Sequence, residues 1–521
     1  MPQQLIERNT VAFRRVGALQ YFLYLASLIA VLCAVLPLGY LLNRATSSDA
    51  DSISTVLLRS KTISIFTTTL TLTAVVTLGA VLVGVALAWI LNHVSIRNVT
   101  TWRAATVIPI AIPSYVFTYC WMTLNPGLRG FWAATLVLIL STSPFVTLAT
   151  LAALRRVDWS QYEVAQTLGL NPLKTFFRIT LPQIRSQIAA GALLVTLYVL
   201  SDFGAVALLG VDTFTRAISN LYRGSFDRST AAVLALILVT ISAVIIFLDS
   251  KVRGDSEARR STSKIVTEVK PFDSLNLRIS AYLFLSAYVL LSLALPLLLL
   301  ITRFISNNVS FDFAELISAT INTIIAAAIG AIIAVSIALP VGVLLQQGSR
   351  LAKLADASVL VVHSLPGIVM GLALVALGSQ IGWLYQTLGL LAFSYALLFM
   401  AKGVGSVRTA LAKVPANLLE ISATLGQSKA QTIKRVAIPL AAPGILSGTL
   451  LIFLAAMKEL PATLMLRPTG FETLATEIWN YTSISRFSEA APYALALVLV
   501  AAIPTFLINR PDRSENAREA S

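Results

Sequence analysis

Long apolar runs separated by short polar ones fill almost the whole chain. Stretches such as 65–92, 131–153 and 318–346 hold more than twenty residues with hardly a charge. About 20 apolar residues wound as a helix cross a hydrocarbon core about 30 Å thick. The pattern predicts twelve spans, near 21–42, 65–92, 104–124, 131–153, 189–210, 230–250, 279–302, 318–346, 355–378, 386–411, 446–466 and 490–509. The fold class expected is an all-α polytopic membrane protein.

Composition agrees. Of 521 residues, 57% are hydrophobic and only 12% charged, where a soluble domain carries about 25% charged residues. The net charge of +15 would point to nucleic acid in a soluble protein. Here most Lys and Arg fall on one side of the expected spans, which makes that side the inner one. Both termini are then expected in the cytoplasm, and no nucleic-acid partner is expected. The first span follows Arg14 and Arg15 and is too long for a cleaved signal, so it reads as a retained helix. Cys33 and Cys120 lie inside apolar runs and make no disulfide framework; His93 and His363 are far apart and make no metal-binding pair.

The charged stretch 251–277 reads as a cytoplasmic linker between a first half, 1–250, and a second half, 278–509, with a polar tail at 510–521. The halves carry a duplication. EVAQTLGLNPLKTFFRITLP at 163–182 aligns without a gap on EISATLGQSKAQTIKRVAIP at 420–439, and across 163–209 against 420–466 fourteen of 47 positions are identical. Apolar composition explains matched leucines. It does not explain the ordered matches Glu163/Glu420, Gly169/Gly426, Arg178/Arg435 and Pro182/Pro439. Six spans in each half give both the same orientation, so a pseudo-two-fold axis along the membrane normal is expected between two facing bundles.

Each copy reads as a helix–turn–helix on the cytoplasmic side, in loops 158–188 and 415–445. Ser160 and Glu163 have capping-box spacing, and Asn417 and Glu420 a looser version. Gly169 and Gly426 sit where a helix needs a left-handed residue. Asn171, followed by Pro172, and Ser428 are placed to cap the second arm, which runs toward Pro182 or Pro439 into the next span. Caps and turns account for each residue singly. They leave unexplained why the whole hairpin occurs twice on one face. Two short rigid rods on one face fit a two-fold partner.

The pattern E-x-A-x-x-x-G, with Pro thirteen residues beyond the Gly, resembles the EAA loop of ABC importer permeases. The residues are Glu163, Ala165, Gly169 and Pro182 in the first copy and Glu420, Ser422, Gly426 and Pro439 in the second, with Val164, Ile421 and Ser422 departing from the usual alanines. The resemblance implies that these loops dock on a separate ABC ATPase subunit, a homodimer that binds ATP and Mg²⁺. No G-x-x-x-x-G-K-[ST] occurs in the sequence, so this chain has no Walker A loop of its own. It is expected to be a transport subunit rather than an enzyme, to hold no cofactor of its own, and to have membrane lipid among its partners.

Span five carries Asp202 in LSDFGAVALLG and span eleven carries Glu459 in MKELPATLMLRP, at aligned positions. Acids within a span usually face a partner or a watery path, and their hard oxygens suit hard cations. Asp202 and Glu459 are therefore candidate pathway and metal-contacting residues. Equally, they could pair with Lys458, Arg216 or Arg223, or cap helices broken at Gly204 and Pro461. The DFG and KELPA stretches resemble those of double-length iron(III) permeases, which implies ferric iron brought by an extracytoplasmic iron(III)-binding protein. Related permeases handle thiamine or other small solutes. The outer loops 211–229 and 467–489, with Asp212, Arg216, Arg223, Arg228, Arg467, Glu472 and Arg486, are candidates for docking that protein. An ion-coupled secondary transporter is the alternative of another class, since it too uses repeats and acids at the midplane.

Overall fold

The computed structural model describes residues 18–46, 54, 56–155, 157, 159–222, 228–257, 274–305, 312–346, 348–363 and 365–508. Among them there are helices and turns and no β-strand. Among the described residues ten helices are long and apolar enough to cross a membrane, or eleven if a bent pair is taken as one span. In the first half these include α1 (Ala18–Thr46), α2 (Ser60–His93), α5 (Phe131–Leu154), α7 (Leu181–Ser201) and α10 (Arg228–Glu257). Shorter elements lie between them: α3 (Val99–Val107), α4 (Ser114–Leu124), α6 (Trp159–Thr167), α8 (Gly204–Leu208) and α9 (Phe214–Asn220).

The second half repeats the order. Its first span is α11 (Leu275–Val289) and α12 (Leu295–Ile305), continuous through a π turn at Leu290–Ala294. There follow α13 (Phe313–Gln346), α14 (Arg350–His363), α15 (Gly367–Gln380), α16 (Leu388–Ala412), α17 (Ala416–Thr424), α18 (Ile438–Met457), α19 (Pro461–Leu466), α20 (Leu474–Ser483) and α21 (Phe487–Ile508).

Helices α2, α5 and α7 form the core of one half, and α13, α16 and α18 that of the other. Lipid gives helices no hydrophobic reason to associate, so close packing needs small residues at the contact. The matched glycines of the repeat supply it. A Cβ on Gly191 would come within 2.9 Å of Val146 Cα, and one on Gly448 would run into the Ser406 side chain. Leu25, Leu82, Leu283, Ile332 and Leu499 stay exposed on the outside, as a lipid-facing belt requires. A polar contact recurs as well: Thr69 Oγ1 accepts the Phe214 N–H at 3.2 Å, and Thr323 Oγ1 accepts the Leu474 N–H at 2.8 Å.

The first span of each half crosses to the other. Helix α1 packs on α13 and α14, while α11 and α12 pack on α3 and α4. Hydrogen bonds tie this exchange. The Arg97 amide donates to Tyr282 Oη at 2.9 Å, and Ser143 Oγ to Tyr288 Oη at 3.0 Å. Cys33 and Cys120 are free thiols. His93 is buried, stacked on Trp89, with Nδ1 3.0 Å from the Trp89 carbonyl oxygen, which is a packing role. The side chain of His363 lies outside the described residues.

Four of the twelve expected spans differ from a single straight helix. The one predicted at 104–124 is a pair, Val99–Ala111 and Ser114–Leu124, bent by 96°. The one predicted at 355–378 divides into α14 and α15. Proline causes both breaks. Pro113 and Pro366 hold extended backbone, ψ 150° and 149°, immediately before a new helix, where proline is favoured and costs no hydrogen bond. The spans predicted at 189–210 and 446–466 end early, at Ser201 and Met457, and restart as the short helices α8 and α19.

Candidate functional site

The two polar hairpins share one turn. Gly169 and Gly426 have φ of +84° and +79°, a conformation that favours glycine. Beyond them the Leu170 N–H returns to the Ala165 carbonyl at 3.2 Å, and the Gln427 N–H to the Ser422 carbonyl at 3.1 Å. Both helices therefore close with a Schellman turn. The second arm is capped as its sequence predicts. Asn171 Oδ1 accepts the Lys174 N–H at 2.8 Å, and Ser428 forms a capping box with Gln431.

The start of the first arm differs from the expectation in the second copy. Helix α6 begins at Trp159, so Ser160 stands in its first turn, and the Glu163 side chain of the expected capping box lies outside the described residues. Helix α17 is preceded by Pro415 without a side-chain cap, and Asn417 Oδ1 takes the N–H of Leu418 instead. Proline preorganises that start and makes a side-chain cap dispensable.

Ala165 and Ser422 are buried inside their hairpins. Ser422 Oγ shares a hydrogen bond with Thr432 Oγ1 at 2.9 Å, tying arm to arm. The surface each hairpin offers is apolar and duplicated: Val164 and Leu168 in the first, Ile421 and Leu425 in the second, all exposed. Glu420 is exposed beside them. The Glu163 side chain lies outside the described residues. Pro182 and Pro439 each follow a π turn, Phe176–Thr180 and Ile433–Ala437. A proline ring presses on the carbonyl four residues back and donates nothing to it, and widening the turn relieves that pressure.

A cavity of about 450 Å³ lies between the halves, lined among others by Ser114, Tyr115, Asp202, Phe203, Lys402, Lys458 and Glu459. Asp202 sits where α7 breaks. Its Oδ1 accepts the N–H groups of Ala205 and Val206 at 3.0 and 3.4 Å, and its Oδ2 accepts the Ser114 hydroxyl. It is buried and caps α8. Half-buried Glu459 caps α19 where α18 breaks, with Oε1 accepting the Ala462 N–H at 3.2 Å. The structure thus brings the two aligned acids to one cavity and makes both of them helix caps.

The basic residues considered as partners point elsewhere. Arg216 bonds Asp212 at 2.7 Å, and Lys458 donates to the Ile110 carbonyl at 2.9 Å, a link from one half to the other. Arg223 lies outside the described residues. No group of three His, Cys, Asp or Glu stands close enough to hold a metal ion among the described residues. Lys402 was not legible as a cavity residue in the sequence, because its place within an expected span does not tell which face of the helix meets the other half. Ser114 and Tyr115 were hidden because only the break at Pro113 turns them inward.

Phe203 also lines a second cavity, about 380 Å³, with Arg129, Arg216, Asn220 and Trp479 at the end of the molecule away from the hairpins. Its ring packs on that of Trp479 at 5.0 Å, so an aromatic pair from the two halves stands between the cavities. In the loops at this end Lys61 bonds Asp212 and holds its carboxyl below the usual carboxylate range. Arg467 pairs with Glu472, Arg486 pairs with Glu489 at 2.8 Å, and Arg228 lies over the Tyr222 ring.

The whole is a multi-pass helical membrane protein whose halves repeat one plan: a polar hairpin, a broken span with an acidic cap, and a share of one central cavity. The chain belongs to the family of binding-protein-dependent transport system inner membrane components, which matches residues 80–253 and 337–511, one stretch in each half. It is similar to the Fe(3+)-transport system permease protein FbpB 2 of Haemophilus influenzae, 31% identical over 497 residues, covering 94% of this chain and 98% of that one. It is also 31% identical to the molybdate/tungstate transport system permease protein WtpB of Pyrococcus furiosus, over 36% of this chain and 74% of that one. Among solved structures, the inward-facing MetNI methionine ABC transporter matches 38% of this chain and 97% of that one, at 20% identity and a TM-score of 0.34.

Proposed function

We propose that the chain is the permease of an ATP-driven importer of ferric iron in a bacterial inner membrane, with both termini in the cytoplasm. The observation that carries the proposal is the likeness to an Fe(3+)-transport permease along nearly the full length of both chains. An extracytoplasmic iron(III)-binding protein docks on the loops 211–229 and 467–489. A separate ABC ATPase, a homodimer holding ATP and Mg²⁺, seats the hairpins at Glu163, Ala165, Gly169 and Pro182 and at Glu420, Ser422, Gly426 and Pro439. Two hairpins built on the same turn suit a two-fold motor. Val164, Leu168, Ile421 and Leu425 supply the apolar contact, with Ala165 and Ser422 holding the hairpins in shape from inside. This chain binds no cofactor of its own.

Closure of the ATPase pulls the hairpins together. Each hairpin's second arm continues as one helix into α7 or α18, so the pull reaches the breaks at Asp202 and Glu459 as a rigid lever. The halves then rock about the central cavity, and Asp202 and Glu459 lie along the path.

Proteoliposomes holding this chain with its ATPase and its binding protein loaded with ⁵⁵Fe(III) provide the test. Uptake is expected to require ATP, and the chain alone is expected to hydrolyse none. Cysteines at Val164 and Ile421 are expected to cross-link to the ATPase. Iron uptake that survives ATP depletion and collapses with an uncoupler would establish the ion-coupled alternative instead.

A further inference from the structure

The central cavity is an odd place for a bare trivalent cation. The carboxylate of Asp202 is already occupied by three donors, and one oxygen of Glu459 by a fourth. The groups left over are of the opposite kind. Lys402 is the fifteenth residue of the 25-residue α16 and lines the cavity. None of the ion pairs among the described residues includes it: Glu459 acts on it only at longer range, and its ammonium rests 4.9 Å from the Phe399 ring centroid. Tyr115 is 3% exposed, and its hydroxyl has no hydrogen-bond partner. A charge within a span marks a pathway more often than a packing role. A buried hydroxyl without a partner is costly and awaits one.

We propose that Lys402 contacts the cargo in the central cavity, and that ferric iron crosses as a complex with an anionic oxygen ligand whose charge the Lys402 ammonium meets. This inference rests on the ferric proposal above. With no cluster of three His, Cys, Asp or Glu among the described residues, the cavity offers the ion few carboxylate or imidazole ligands, and an oxygen anion travelling with it supplies what is missing. Oxygen anions are the hard ligands such an ion prefers. An ammonium meets them through charge-assisted hydrogen bonds, and Tyr115 can donate one more. A naked cation would be repelled by Lys402 and, beyond it, by Lys458.

The sign of one substitution decides. Initial ⁵⁵Fe uptake in the reconstituted complex is expected to fall about tenfold or more in Lys402→Met, and to stay within about threefold of wild type in Lys402→Arg. Unchanged or faster uptake in Lys402→Met, as relief of repulsion would give, overturns the proposal. The thermal transition of the purified complex shows whether each variant is folded. A second measurement needs no variant. With the binding protein loaded in inorganic phosphate as the only oxyanion, ³²P is expected to enter the vesicles with ⁵⁵Fe at a fixed ratio. Entry of ⁵⁵Fe without ³²P overturns the proposal and leaves the ferric assignment standing. No ⁵⁵Fe entry at all in wild type overturns the ferric assignment and this inference together.

Discussion

The two broken spans solve one problem with different side chains. At each break a short helix begins next to the N-terminus of another helix that starts after a proline: α8 beside α4, and α19 beside α15. In the first half Asp202 reaches the new helix and is also held by the Ser114 hydroxyl. In the second half the position facing the acid is Gly367, and a Cβ there would run into Glu459 Oε1. The longer Glu459 fills the room that Ser114 occupies in the other half. Asp with Ser and Glu with Gly are two fillings of one joint. A threonine hydroxyl meets each acid's carbonyl, though from non-equivalent places: Thr215 of α9 donates to the Asp202 carbonyl at 2.7 Å, and Thr463 of α19 to the Glu459 carbonyl at 2.6 Å. The duplicated backbone plan has tolerated this exchange because what a break needs is an acceptor for orphan N–H groups, and either acid supplies one.

The joints are unequal in strength, and that is the first thing to test. Asp202→Ala leaves a hydroxyl and two backbone N–H groups without their acceptor and is expected to cost about 2–4 kcal/mol. Glu459→Ala removes one cap bond and is expected to cost about 1–2 kcal/mol. Thermal unfolding of the purified chain in detergent reads the difference, and equal losses would mean that the Ser114 contact contributes nothing. Asp202→Asn and Glu459→Gln keep an acceptor while removing charge. Both are expected to lie within about 1 kcal/mol of wild type, so that any larger loss of transport they cause reports on the path rather than on the fold.

Rebuilding one joint as the other sharpens the comparison. Ser114→Gly with Asp202→Glu gives the first half the second half's pair. The double variant is expected to be more stable than the two single losses sum to, with a coupling of about 1 kcal/mol. Additive losses in the double-mutant cycle would show that Ser114 and Asp202 act independently and that the two breaks are alike only in outline.

Much of this plan is legible in the sequence, because it rests on local chemistry. The apolar runs, the offset repeat, the left-handed glycines and the Asn171 and Ser428 caps all follow from neighbouring residues. What fails is of two kinds. Proline in an apolar run reads as a kink within one span, yet Pro113 and Pro366 divide theirs; the Ser or Gly directly after each is the signal that a new helix starts. The partners across the cavity are non-local. Ser114 meets Asp202 from 88 residues away and Lys458 meets Ile110 from 348 away, and no periodicity carries such a pairing.

The hairpins show the same contrast at smaller scale, and they give the smallest predicted effect. Ser428 and Asn171 cap equivalent arms, so alanine at either is expected to cost about 1 kcal/mol. Ser422 adds a bond to Thr432 that the first copy lacks, since Ala165 stands at the matching place and Thr175 turns instead to the Asn171 carbonyl at 3.1 Å. Both positions are buried, so Ser422→Ala gives the second hairpin the first one's interior without leaving a gap larger than a hydroxyl. The cost is expected to be about 0.5 kcal/mol or less, because Thr432 can turn to the Ser428 carbonyl, as Thr175 turns to that of Asn171. Hydrogen exchange over 416–432 is the measurement. If it rises only to the rate seen over 159–175, the extra bond is a local refinement. If the second hairpin opens well beyond the first, its arms are held by that one hydroxyl, and the two rods are not mechanically equivalent.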